Sequence, residues 1–297
     1  MNPLPKDENF LALPPEHSGP DSGVVILSCP LEHASSYGGG SAEGPQAIIG
    51  ASHEVELYDC AIGQEPFRAC GGIATLPALD VHGKDGAAVA ELLRAETAHW
   101  LDKRKFVIVL GGEHSSIVGA VHAHHDRYPD LSVLQLDAHS DLRPEYQGTP
   151  WSHACAAARI LDFCPNLTQV GIRSQDASEL QVELDRGVAT FYAHDIMEGE
   201  RGSADWIAMV LDSLGANVYL TLDCDVFDPT LIPATGTPEP GGLSWQQVND
   251  LLRAVCAERN LVGFDINELA PVPTLHHPQF AIAKLIYRII GLKFPAK

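Results

Sequence analysis

The sequence predicts an α/β fold with three layers, a mainly parallel β-sheet held between two layers of helices. Strand and helix patterns alternate along the chain, and each pair of parallel strands needs a crossover between them, usually a helix. The strand patterns are continuous apolar runs, such as VVILSCP (24–30) and FVIVL (106–110), so both faces of the sheet are covered. Three of these runs lead into Asp, Glu and His residues, at the strand ends where open α/β sheets place their sites.

Residues 1–22 are rich in Pro and charge and are expected to form an extended or disordered tail, with 23–297 as a single domain. Strand 24–30 leads into the loop LEHASSYGGGSAEGP (31–45). Gly38, Gly39 and Gly40 are not followed by the Gly-Lys-Ser/Thr of a phosphate loop, so the segment reads as a flexible entry to a helix at Pro45. That helix covers 45–53, and an irregular stretch with Cys60, Cys70, Gly71 and Gly72 follows. Residues 86–104 have strong helical periodicity; Lys103, Arg104 and Lys105 lie at its end, where the helix dipole favours cations. Strand 106–110, helix 115–127 and strand 131–136 come next. Residues 152–164 read as a helix, 167–172 as a strand, 175–187 as a helix closed by Gly187, and 188–193 as a short strand. Helix 203–214 and strand 218–222 precede a long loop to Leu243, in which Pro229, Pro233, Pro238 and Pro240 preclude regular structure. Helix 244–258, strand 260–265, loop 266–277 and helix 278–290 complete the chain.

Composition excludes several classes. A net charge of −20 argues against nucleic acid or anionic membrane as a partner and favours a cationic ligand. The seven cysteines are scattered without a C-x-x-C pair, so a reducing compartment is expected rather than a disulfide framework. The first 22 residues contain no apolar h-region, and no run reaches the roughly 20 apolar residues of a membrane span. A cytoplasmic location follows as the expectation.

The chemistry is concentrated in LQLDAHSD (134–141). Asp137, His139 and Asp141 fall at i, i+2 and i+4, which share one face of an extended segment. VYLTLDCDVFDP (218–229) repeats the design with Asp223 and Asp225, and Cys224 between them is expected to face the packing side. FVIVLGGEHSS (106–116) adds Glu113 and His114. Alone, any of these aspartates would be a helix cap or a loop ion pair, and either histidine a core imidazole. Together, four carboxylates in one crevice carry a charge of about −4, which costs many kcal/mol unless cations or protons offset it. One divalent ion leaves about −2; two bring the cluster close to neutral, so a two-metal site is inferred. Oxygen and imidazole donors without thiolate suit Mn²⁺, with Co²⁺, Fe²⁺, Ni²⁺ or Zn²⁺ as alternatives. His122, His124 and His125 lie within a helix and are read as a solvated face; His276 and His277 are placed at the site entrance.

These motifs resemble the ureohydrolases, the arginase and agmatinase family. The resemblance covers nearly the whole chain after the tail, through SYGGGSAEGPQAI, LGGEHS, LDAHSD, SHA, GIRS, TLDCDVFDP, TGTPEPGGL and GFDINELAP. It implies the arginase/deacetylase-like fold and a homo-oligomer, trimer or hexamer. It also implies two Mn²⁺ ions held by His114, Asp137, His139, Asp141, Asp223 and Asp225. In this pattern His114 and His139 serve different ions, and some of the aspartates bridge them. Many members have Asp where this chain has Glu113.

The implied reaction is hydrolysis of a guanidino group with release of urea. A guanidinium is resonance-stabilised and charged near neutral pH, so uncatalysed attack on its carbon is very slow. Metal ions lower the pKa of a bound water and supply a nucleophile at neutral pH. The resemblance gives Asp141 the relay of a proton from that water, His153 the role of proton shuttle, and Glu268 the pairing with the guanidinium. The loop 235–242 is assigned shaping of the pocket. Arginases hold the α-amino and α-carboxylate groups with Asn and Ser from the loop after D-A-H-x-D. Here that loop, LRPEYQGTPWS, has no Asn and has Arg143, Pro144 and Glu145 instead. The pattern is similar to agmatinases, so agmatine, yielding putrescine and urea, is the expected substrate. Arginine, guanidinobutyrate received by Arg143, and a catalytically inactive regulator are the alternatives.

Overall fold

The structure, a computed structural model, describes residues 1–33, 36–198 and 203–296. Among these residues eight parallel strands form one sheet: β1 (Val24–Cys29), β2 (Ile73–Thr75), β3 (Phe106–Gly111), β4 (Leu131–Leu136), β5 (Leu167–Ile172), β6 (Ala189–Tyr192), β7 (Asn217–Asp223) and β8 (Asn260–Asn267). Their spatial order is β2-β1-β3-β8-β7-β4-β5-β6. The helices are α1 (Gly44–Ser52), α2 (Pro66–Ala69), α3 (Gly86–Asp102), α4 (Val118–Arg127), α5 (Ala156–Leu161), α6 (Ala177–Arg186), α7 (Ala193–Glu198), α8 (Ser203–Ser213), α9 (Trp245–Glu258) and α10 (His277–Lys293). The expected three-layer α/β/α architecture is present.

Strand alternation divides the core in two. Ile26, Leu134, Leu220 and Leu222 point to the face covered by α1, α8, α9 and α10. Val25, Leu27, Val133 and Tyr219 point to the face covered by α3, α4 and α5. Burial on both faces is what the continuous apolar runs encode. Helix starts follow local chemistry. Asp176 and Ser244 each make a capping box, with Glu179 and Gln247 respectively, and Gly187 closes α6 at φ +68.

Residues 1–22 depart from the expected extended or disordered tail. They form three short 3₁₀ turns, and Phe10, Leu11 and Leu13 are buried in the core. Leu4 N donates to Thr75 O at 2.8 Å, Phe10 N to Thr75 Oγ1 at 2.9 Å, and Leu11 N to Ser52 Oγ at 2.7 Å. Three apolar side chains within a polar segment are enough to seat it along β2, an edge strand whose backbone groups it helps to satisfy. The stretch read as irregular before residue 86 contains α2 and β2.

Candidate active site

The four central strands, β3, β8, β7 and β4, are neighbours, and each delivers candidate residues at its C-terminal end. His114 follows β3, Glu268 follows β8, Asp223 ends β7 with Asp225 in the turn behind it, and Asp137, His139 and Asp141 follow β4. Cys224 packs in the core, as its position between the two aspartates implies. Asp137, His139 and Asp141 do not share the face of one extended strand. β4 stops at Leu136, and Asp141 has φ +53, so its side chain reaches the site through a left-handed turn. Glu268 is likewise left-handed at φ +61. Non-glycine residues adopt this conformation seldom, and such strain gathers at functional sites.

Asp137 is central to the geometry. Its Oδ2 lies 3.0 Å from His114 Nδ1, and its Oδ1 lies 3.7 Å from His139 Nδ1. Asp141 Oδ2 and Asp223 Oδ2 approach His114 Nδ1 at 3.2 and 3.5 Å, while Asp225 Oδ2 approaches His139 Nδ1 at 2.9 Å. Backbone N–H groups orient the carboxylates: His139 N donates to Asp137 Oδ1 at 2.7 Å, Ala138 N to Asp225 Oδ1 at 3.0 Å, and Asp225 N to Asp223 Oδ1 at 2.8 Å. Two donor groups result, His114–Asp137–Asp141 and Asp137–His139–Asp225, with Asp137 in both.

The electrostatics show how much positive charge this pocket calls for. All four aspartates are buried, none more than 5% exposed. Burial, with Asp137 adding to it, pushes the Asp141 carboxyl up to about 7. Burial also raises Asp223 well above the carboxylate range, helped by Asp225, Asp137 and Glu268. Burial alone would lower the His139 imidazole, but Asp225, Asp137 and Asp141 hold it up at about 10. A carboxyl driven to keep its proton and an imidazole driven to take one are two responses to the same excess of negative charge.

The donor set fits a pair of divalent cations. It offers oxygens and imidazole nitrogens in two groups joined by one carboxylate. His114 Nδ1 is buried without a hydrogen-bond partner and faces three carboxylates, as a ligand atom would. Beside these residues is a small cavity of about 30 Å³, lined by His114, His139, Asp141, Asp223, Asp225 and Glu268 among others.

Glu268 is tied in by its backbone and one oxygen. Glu268 N donates to Gly112 O at 2.8 Å, and its Oε1 accepts from His114 N at 2.7 Å. Burial pushes its carboxyl up to about 8. His153 begins a short 3₁₀ turn ahead of α5 and also lines the cavity, with Ser36 Oγ 2.8 Å from its Nε2. An outer cavity of about 270 Å³ adjoins the inner one, sharing Ser36, His139, Asp141, His153 and Thr237.

The loop 31–45 forms part of the wall rather than a mere entry to α1; its residues 34–35 lie outside the described residues. Glu32 accepts from Gly40 N at 2.7 Å and Ala42 N at 3.0 Å, and Gly38 N donates to Gly236 O at 3.0 Å. A Cβ on either Gly38 or Gly236 would meet the other's backbone at 3.0 Å, so this loop and the loop 235–242 approach closely where the two glycines touch. Gly236 and Thr237 line the cavity, as expected of a pocket-shaping loop. Ser36 was not legible as a site residue, because nothing in a Gly/Ser-rich loop singles out one serine. Arg143 lines the outer cavity but is already engaged, 3.8 Å from Glu179, 4.0 Å from Asp176, and stacked over Tyr146. His122 stacks on Phe163, whereas His124 is fully buried, its Nδ1 2.8 Å from Ala120 O, so that helix is not a wholly solvated histidine face. His276 and His277 are exposed at the start of α10 and do not line the cavity, contrary to their placement at the entrance.

Fold and pocket together define an α/β/α protein whose central strands surround a carboxylate–imidazole cluster. The chain belongs to the arginase family, whose model matches residues 22–291. It is similar to a Thermus thermophilus protein named N(1)-aminopropylagmatine ureohydrolase, 40% identical over 92% of this chain and 91% of the relative. It is also similar to an agmatinase of Pyrococcus horikoshii, 32% identical over 92% of each. Among solved structures, the proclavaminate amidino hydrolase of Streptomyces clavuligerus superposes with a TM-score of 0.87 at 27% identity, covering 99% of this chain and 100% of that one. The chain is thus a hydrolase of amidino carbon–nitrogen bonds, in a family that works with a pair of metal ions. Among the described residues no helix is long and apolar enough to cross a membrane.

Proposed function

We propose that this protein hydrolyses agmatine to putrescine and urea, with residues 23–297 acting as one catalytic domain. The observation that carries the reading is a single small cavity shared by Glu268, His153 and members of both donor groups. A carboxylate able to pair with a guanidinium, a histidine able to move a proton, and a cation pocket therefore meet at one point.

His114, Asp137, Asp141 and Asp223 would hold one ion, and Asp137, His139 and Asp225 the other. When bound, the pair supplies a nucleophilic water at neutral pH, and Mn²⁺ suits these donors. Glu268 pairs with the guanidinium and sets its carbon in line for attack. Asp141 takes the proton of the attacking water. His153 gives a proton to the departing amine from Nε2, and its partial exposure allows it to be recharged from solvent. The preference for agmatine over a carboxylate-bearing guanidine is supported by Arg143, whose charge Glu179 and Asp176 already engage. An acidic chain of net charge −20 also suits a dication. A cytoplasmic homo-oligomer, trimer or hexamer, completes the reading.

A second reading has its own support. The name of the Thermus relative points to N(1)-aminopropylagmatine, and the outer cavity offers room for a longer polyamine tail. Urea release by the Mn²⁺-loaded protein, measured across agmatine, N(1)-aminopropylagmatine, arginine and guanidinobutyrate, tests both. Agmatine far above arginine is expected. Comparable rates on the two, or activity on arginine alone, would overturn the first reading. A clear preference for the aminopropyl compound would establish the second. No urea from any of them, with two ions bound, would mark a non-catalytic relative.

A further inference from the structure

One buried carboxylate beneath the pocket has no part in the mechanism above. Asp265 sits in β8 with no exposed surface, and strand pairing sets it beside Thr221 of β7. Thr221 Oγ1 donates to Asp265 Oδ1 at 2.7 Å and lies 2.7 Å from His114 Nε2. Asn267 Nδ2 donates to the same Asp265 oxygen at 2.5 Å.

A hydroxyl carries one proton. With that proton given to Asp265, Thr221 accepts from the imidazole, so the ring hydrogen resides on Nε2. Nδ1 then keeps its lone pair. Nδ1 is the buried ring atom without a hydrogen-bond partner, and it faces Asp137, Asp141 and Asp223. His139 has no comparable support among the described residues; its ring is 26% exposed and meets only carboxylates, through Nδ1.

We infer that Thr221 and Asp265 are positioning residues, forming an Asp265–Thr221–His114 chain that locks the His114 ring and tautomer so that Nδ1 is presented to a cation. The inference rests on the reading of His114 as a metal-holding residue. It makes the two ion positions unequal, because one imidazole is held through two buried partners and the other through none. Partners behind a ligating histidine typically govern affinity by about 10–100-fold.

Mn²⁺ binding to the full chain, measured by titration calorimetry and equilibrium dialysis, provides the test. The unaltered protein is expected to bind two ions, and His114→Ala to lose one of them. Thr221→Val keeps the side-chain volume but removes the hydroxyl; it should weaken that same ion by about 10–100-fold and leave the other unchanged. Thr221→Ser should restore it. Asp265→Ala, which removes the acceptor that orients the Thr221 proton, should repeat the selective loss and serves if the Val variant folds poorly. Two ions bound with unaltered affinity in the folded Thr221→Val and Asp265→Ala proteins, while His114→Ala loses one, would overturn the positioning role and leave the metal reading intact. Retention of both ions by His114→Ala would overturn that reading and this inference with it.

Discussion

Two regions of the molecule bury carboxylates away from water. Asp59, in the loop after α1, has no exposed side-chain surface. Arg288 Nε reaches its Oδ2 at 3.0 Å, Arg288 Nη2 its Oδ1 at 3.2 Å, Lys284 Nζ lies 3.5 Å away, and Ala61 N donates to Oδ1 at 3.0 Å. At the C-terminal ends of β4 and β7, four aspartates are equally buried, yet Lys and Arg side chains form no ion pair with them among the described residues. The chain itself neutralises the first region. In the second it supplies imidazoles and leaves the remaining charge for something from outside. A buried anion with its cation built in is a structural tie; a cluster without one is a binding site.

Substitutions should have opposite consequences in the two regions. Asp137→Ala or Asp225→Ala should abolish urea release and reduce the bound metal below two ions per chain, measured by elemental analysis of the dialysed protein. The fold should survive, because these aspartates are held mainly by local N–H groups. Asp223→Asn keeps an acceptor for Asp225 N and removes a charge, so the melting temperature of the metal-free protein should not fall. A marked loss of stability there would show that the pocket is balanced without an external cation.

Asp59→Ala should do the reverse. It leaves Arg288 and Lys284 facing a void, and removing one partner of a buried pair costs about 3–5 kcal/mol. Urea unfolding would report that loss, while the protein that remains folded should keep its metal and its kcat. His153→Ala should lower kcat by about 10²–10⁴-fold with both ions retained, as expected for a residue that moves protons rather than holding charge. Loss of metal in that variant would place His153 within the cation pocket instead.

The sequence reveals the two regions unequally. The site was legible because its residues repeat a pattern, with an apolar strand ahead of an Asp or His in DAHSD, TLDCD and GGEHS. The central strands were legible because burial on both faces leaves a continuous apolar run. Asp59 was not, because its partners lie 225 or more positions away and nothing in YDCAIG marks a buried acid. Thr221 and Asp265 lay inside recognised motifs without a role, since only strand register shows that they touch. Ile73–Thr75 is too short to display periodicity, and the tail's three buried apolar residues are outnumbered by prolines and charges. In each case the missing information is a contact between distant segments, which composition and period do not carry.

The smallest expected effect is the dependence of stability on pH at Asp59, and it separates the two regions without substitution at the site. Burial alone would raise the Asp59 carboxyl, but the hydrogen bonds from Arg288 and Ala61 and the charges of Arg288 and Lys284 hold it below its ordinary value. A group whose pKa is lower in the folded state stabilises the fold fully above its unfolded value, near 3.9, and loses that contribution as pH falls through the folded value. Folding stability of the metal-free protein should therefore drop below about pH 4, and the Asp59→Ala variant should show a shallower drop over the same interval. The comparison needs the pocket's own titration as background, so the readout is the difference between the two proteins at each pH, taken from urea unfolding. Parallel curves from pH 5 down to 3 would mean that Asp59 is no better stabilised as an anion in the fold than in the unfolded chain, and the contrast between a self-neutralised carboxylate and an open cluster would fail.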